Sequence, residues 1–199
     1  MSSESSQDLL TLTLTPDNPV NTTLTNQIYY TSETLYPRGP KSSYAITHVC
    51  GKHGETLGAL EWRDVRSDLV GLGGEGEFPL SAWMNSSLIP FNSCIRKYKW
   101  KGCGTGESME LWVEDAPDSP IAQFQKSRPR ADPSTPARLL ITPRAQEIMD
   151  TVVISFLFLE KRRRATENST QNRADVLGTP ALNLPGTSRL RTQVVNNGV

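Results

Sequence analysis

Near its start the chain carries Leu10, Leu12 and Leu14 in alternation with Thr11, Thr13 and Thr15. That period-2 pattern predicts a strand with one buried face. Pro16-Asp17-Asn18-Pro19 ends it as a turn, because proline fixes φ and Asp or Asn bonds its own backbone. Ile28-Tyr29-Tyr30-Thr31 reads as a second strand and Tyr44 to Val49 as a third, with the breaker Pro37-Arg38-Gly39-Pro40 between them. Gly51-Lys52-His53-Gly54 predicts a hairpin turn into Thr56 to Trp62, where Gly58, Leu60 and Trp62 share one face. Gly71 to Gly76 reads as a glycine-rich turn, and Pro79 to Met84 as a short helical turn. Cys94 to Lys101, Met109 to Glu114, Ile121 to Gln125 and Arg138 to Thr142 are further short strands. Met109, Leu111 and Val113 point inward, and Ser127 to Pro136 is a proline-rich, charged loop. Many short strands separated by turns about every 8–12 residues predict a barrel or sandwich.

The pattern changes after Thr142. Thr142 suits the N-cap of a helix and Pro143 its first position, where a missing N–H costs nothing. Ile148, Met149, Val152, Val153, Phe156 and Leu157 recur at helical spacing, and Ile154, Phe158 and Leu159 fill the remaining faces. A helix that is apolar all round must be enclosed all round. The spacing predicts a helix over about residues 143–162, too short in its apolar part for a membrane span. Val152 to Leu159 also suits a strand, since β-branched and aromatic residues are common there. From Ala165 onward, isolated leucines sit among polar residues with no sustained period. Such a composition does not offset the entropy of ordering. The domain organisation expected is a disordered N-terminus (1–8), one domain (9–164) and a disordered tail (165–199).

Leu12 to Pro19, Leu60-Glu61-Trp62, Tyr98-Lys99-Trp100-Lys101, and the ending Asp150-Thr151-Val152-Val153 through Glu160-Lys161-Arg162-Arg163 together resemble a family of small fungal proteins classed as a domain of unknown function. The order of elements resembles the tubby C-terminal, LURP-one-related and phospholipid-scramblase superfamily. That resemblance implies a mainly β (β-rich α+β) fold, a tubby-like antiparallel β-barrel enclosing a hydrophobic C-terminal helix. It also implies a role at membrane lipids or phosphoinositides, although no lipid-binding motif of the superfamily maps onto this chain.

Composition adds bounds rather than a function. The 199 residues are 36% hydrophobic and 21% charged, with a formal net charge of +0. No global field draws in nucleic acid, so any electrostatic partner must meet a local patch. The first eight residues lack the apolar core of a signal peptide, and the 3 cysteines are an odd set, so reduced thiols are expected. The sequons at Asn21, Asn85 and Asn168 are then unused. The expected location is cytoplasmic, with membrane-peripheral or nuclear placement as variants, and the chain is not expected to be transmembrane.

Candidate chemistry is sparse. His48, Cys50 and His53 have partial metal-ligand spacing but supply three ligands where zinc wants four. Gly71 to Gly76 spells G-x-G-x-x-G, yet the neighbours read as strands rather than as a βαβ unit. Gly102 to Gly106 lacks the Lys-Ser/Thr of a phosphate loop. Cys50 with a histidine is the one nucleophile–base pairing on offer, and Glu114-Asp115 reads as a solvated turn. No cofactor is expected. Two basic features remain: Lys97, Lys99 and Lys101 alternate along one strand face, and Lys161-Arg162-Arg163-Arg164 form a dense cluster. Either could hold anionic headgroups, each basic residue contributing about 1 kcal/mol near a charged leaflet. The cluster also reads as a nuclear-import signal or a plain helix C-cap. Trp62, Trp83, Trp100 and Trp112 are expected in the core. The expectation is therefore a non-catalytic binding domain for anionic membrane lipids, with protein partners recruited by the tail as the alternative and a Cys–His hydrolase behind both.

Overall fold

In the computed structural model the described residues are 9–26, 29–39, 44–63, 66–73, 76–85, 98–104, 106–128 and 135–178. The expected strand positions Ile28, Cys94, Ile95, Arg96 and Lys97 lie outside them, as do residues 1–8 and 179–199. Among the described residues eleven strands form one antiparallel sheet: β1 (Leu10–Thr15), β2 (Thr22–Thr25), β3 (Tyr29–Leu35), β4 (Ala45–Cys50), β5 (Thr56–Trp62), β6 (Leu69–Leu72), β7 (Glu77–Pro79), β8 (Tyr98–Lys101), β9 (Glu110–Val113), β10 (Ala122–Gln125) and β11 (Arg138–Ile141). Helix α1 (Leu80–Asn85) follows β7, and α2 (Pro143–Gln146) and α3 (Met149–Gly178) follow β11.

The sheet order is β7-β6-β5-β4-β3-β2-β1-β11-β10-β9-β8. Two meanders, β1 to β7 and β8 to β11, are thus joined where the first strand pairs the last, Leu10 opposite Ile141 and Leu12 opposite Leu139. Among the described residues the ladder does not close into a barrel, since β7 and β8 are its two ends.

Alternation sets the inner face. Leu12, Leu14, Leu24, Tyr30, Val49, Leu60, Val70, Leu111, Val113, Phe124, Leu139 and Ile141 are all buried there. Helix α3 is what they cover. Every residue from Val152 to Glu160 is buried, and nine consecutive helical positions leave no free face. Its neighbours come from all around: Tyr30 of β3 donates to Asp150 at 2.7 Å, Trp100 of β8 donates to Ser155 at 3.0 Å, and Phe124 of β10 packs on Phe156 at 4.8 Å. Trp83 of α1 meets Phe158 edge-on at 6.4 Å. The sheet therefore curls around the helix, as the all-round apolar pattern predicts, and the strand alternative for Val152 to Leu159 falls.

Four expectations need correction. Strand β2 is absent from the sequence reading because one of its two buried positions is Thr22, whose hydroxyl donates to Pro16 O at 2.6 Å. The single predicted helix is two, with Glu147 and Ile148 between them. Thr142 occupies the N-cap position, but its hydroxyl donates to Ile121 O at 2.9 Å instead of capping the helix. Finally, α3 continues through Gly178, well into the segment expected to lack structure from Ala165.

Candidate functional site

The four-residue basic cluster does not form a patch. Successive helical positions turn by about 100°, so four neighbours point four ways. Arg163 is buried and makes a bidentate pair with fully buried Glu160, at 2.7 and 2.6 Å, and also pairs with Glu167. Arg164 bonds Glu160 at 2.7 Å and reaches Asp17, on the β1–β2 turn, through Oδ1 at 2.5 Å and the carbonyl at 2.8 Å. Lys161 places its ammonium 3.0 Å from the centre of the Trp62 ring. Burial pushes that ammonium down to about 7 against the pull of Asp68. Only Arg162 is exposed, beside a groove it shares with Trp62, Arg63 and Asp68. Lys161 and Arg164 thus tie α3 to the rest of the molecule, while Arg163 is held within the helix by Glu160 and Glu167.

Of the lysine stripe, Lys99 and Lys101 are exposed, and Lys97 lies outside the described residues. Lys99 and Lys101 point outward from β8, an edge strand, while Tyr98 is buried behind them. The Lys101 ammonium sits 3.9 Å above the Trp112 ring. Trp112 is therefore an outer-face residue rather than a core one, its indole N–H donating to Glu110 at 3.2 Å. Lys99, Lys101, Trp112 and Pro117 line a shallow depression of about 320 Å³.

The remaining candidates are scattered. His48 and Cys50 face outward from β4, and His53 lies exposed in the following turn with its N–H bonded to Glu55. The Cys50 sulfur contacts Thr56 Oγ1 at 4.0 Å rather than a histidine. Among the described residues no three His, Cys, Asp or Glu side chains group closely enough to hold a metal ion. Gly71 belongs to β6 itself, and the glycine run leads into strand β7, so the helix that a dinucleotide motif must open is missing there. Gly102 and Gly106 take positive φ at the β8–β9 connection, and a Cβ on Gly102 would stand 1.8 Å from Ser108 O, so both are turn glycines. Burial pushes the Cys103 thiol up, away from thiolate character. Asp115 pairs with Arg144 at 2.5 Å, a structural tie between the β9 end and α2.

Sequence reasoning missed one feature. A cleft of about 780 Å³ opens beside β10 and β11, lined by Ser108, Gln123, Gln125, Lys126, Arg128 and Arg138, with Glu107 also on its wall. Its basic residues are spread over one strand and the connection that precedes it, so no run of charge marks them.

An antiparallel sheet curled around a buried C-terminal helix defines a mainly β domain by architecture. The chain belongs to the family of unknown function DUF6593, which matches residues 17–165. The match begins and ends beside the Asp17–Arg164 ion pair that ties the helix to the first turn. No curated protein and no solved structure matches the chain. Among the described residues no helix is long and apolar enough to cross a membrane.

Proposed function

We propose that this domain is a non-catalytic binding module that meets anionic membrane lipids, phosphoinositides among them, through the outer face of β8 and β9. One observation supports it above the others. Lys99 and Lys101 are both exposed on that face, and among the described residues neither is paired with a carboxylate. Trp112 beneath Lys101 adds an amphipathic ring of the kind favoured at headgroup depth. Two lysines near a charged leaflet contribute about 2 kcal/mol, which makes the association weak and salt-sensitive. The tubby-like barrel belongs to the same proposal, with the β7 and β8 ends meeting to complete the wall.

The test is sedimentation with vesicles of phosphatidylcholine and phosphatidylserine at low and high salt. The wild-type chain should pellet at low salt and release at high salt. Lys99→Glu with Lys101→Glu should stay in the supernatant throughout, with its melting temperature unchanged. Equal pelleting of the double variant would overturn the reading. The scaffold alternative draws on a different observation, the extension of α3 through Gly178 with exposed polar positions such as Thr166, Ser169 and Thr170. It gains ground if neither protein pellets.

A further inference from the structure

The cleft beside β10 and β11 is independent of the lysine face, and its chemistry is more specific. Gln125 and Arg138 are register partners on the outer face of the hairpin, and Gln123 follows on the same face of β10. Beyond them, paired backbone bonds between Arg128 and Thr135, at 2.8 and 3.3 Å, hold the Arg128 backbone beside the cleft. Lys126 stands at the rim, bonded to Glu167 at 3.4 Å. Arg128 and Arg138 form no ion pair with any described residue, whereas Arg163 and Arg164 on α3 are both held by carboxylates. The Arg138 Nε is buried, and its N–H has no acceptor among the described residues.

A buried guanidinium N–H without an acceptor is costly, and structures leave few of them. Guanidinium forks match the geometry of phosphate oxygens, bonding them in pairs. The Gln125 amide adds neutral hydrogen-bonding capacity around the same space, while the Ser108 hydroxyl already donates to Phe124 O at 3.2 Å and the Gln123 amide to Glu110 at 3.1 Å. The volume lies within the range of small-molecule sites. Glu107 is the one carboxylate on the wall, against three cations. A dianion suits the unpaired guanidinium groups and the cationic excess of the wall, and a neutral ligand answers none of the charge.

We infer that this cleft is a binding site for a phosphate-bearing ligand, gripped by Arg138 and Arg128 with Lys126 at the rim. The phosphate could belong to a soluble metabolite or to a lipid headgroup, and the experiment separates the two. The full chain is titrated calorimetrically with inorganic pyrophosphate, and in parallel sedimented with phosphatidylcholine vesicles with and without phosphatidic acid. Arg138→Gln and Arg128→Gln are compared with the wild type in both arms. Saturable pyrophosphate binding that weakens at least about tenfold in either variant supports the site with a soluble phosphate, since losing one charge-assisted bond is worth that much. Sedimentation that needs phosphatidic acid and the same arginines supports it with a lipid phosphate. Arg128 is exposed, so its variant decides the matter should Arg138→Gln fail to fold. The inference is overturned if neither probe binds, or if binding is indifferent to both substitutions. Lys99→Glu with Lys101→Glu should leave pyrophosphate binding unchanged, which keeps this site distinct from the membrane-facing proposal.

Discussion

Glu160 has no exposure to solvent, and its two oxygens accept from Arg163 and Arg164 together. A buried carboxylate survives only when such partners replace its water. Arg163 in turn has Glu167 on its other side, where burial pushes the Glu167 carboxyl up but Arg163, Lys126 and the Gly106 N–H together hold it below the usual carboxylate range. Glu160→Gln keeps the shape and deletes the charge, leaving a buried guanidinium short of its main partner. The expected loss is about 3–5 kcal/mol in urea unfolding. A loss within the scatter of surface substitutions, about 0.5 kcal/mol, would show that the network is dispensable. Lys161 gives a pH signature of opposite sense to that of a lysine held in a salt bridge. Its folded-state value of about 7 lies below its ordinary 10.5, so between those values the unfolded chain holds a proton that the folded chain has shed. Stability contributed by this group therefore rises as pH climbs from about 7 toward 10 and is lowest below 7. Urea midpoints across that window should rise in the wild type and rise less in Lys161→Met. Equal slopes would discard Lys161 as the source. None of this was legible in four consecutive basic letters. Their types were plain, but their roles depend on helical turn and on Asp17, which lies 147 positions away.

At the scale of elements, the distance between β5 and α3 is set by an absent side chain. A Cβ on Gly58 would sit 3.2 Å from both Cδ1 and Cγ2 of Ile154, tighter than ordinary contact. Gly58 lies in mid-strand and its backbone is not in the left-handed region, so the clash is its only obstacle. Gly58→Ala should cost about 1–3 kcal/mol as an overpacked core position. Adding Ile154→Val removes Cδ1 and should return part of that loss, which makes the pair non-additive. Thermal melts of the two single variants and the double variant check it, and strict additivity would mean that the helix has room to shift. Helix α3 was the most legible element because apolar side chains on every face admit one arrangement, enclosure. β1 and β5 were legible from clean alternation. β2 was not, since a hydrogen-bonded threonine does the work of an apolar residue at Thr22. The polar end of α3 was not legible either. Its sequence has no apolar period, and the helix extends there by adding turns to an existing nucleus and by the Glu167 contacts to Lys126 and Gly106.

Across the whole molecule, the two meanders share one core element. Leu60 and Val70 come from the first, Leu111 and Phe124 from the second, and all join a single cluster with the buried length of α3. Neither meander can keep its inner face dry without the helix, and the β1–β11 ladder fixes them to each other. That pairing unites Leu10 to Thr13 with Arg138 to Ile141, a contact between chain ends that no local pattern announces. The arrangement predicts one cooperative unit. Phe156 is the place to test it, because its ring is fully buried and touches Phe124 at 4.8 Å and Trp100 at 6.3 Å. Phe156→Ala should cost about 3–5 kcal/mol. The loss should appear equally in tryptophan fluorescence, which reports Trp62 in the first meander and Trp100 in the second, and in far-ultraviolet circular dichroism, which reports the whole backbone. Coincident transitions that shift together follow from a helix serving both halves. Two separated transitions, or a shift confined to one probe, would mean that each meander holds its own core and that α3 merely fills the space between them.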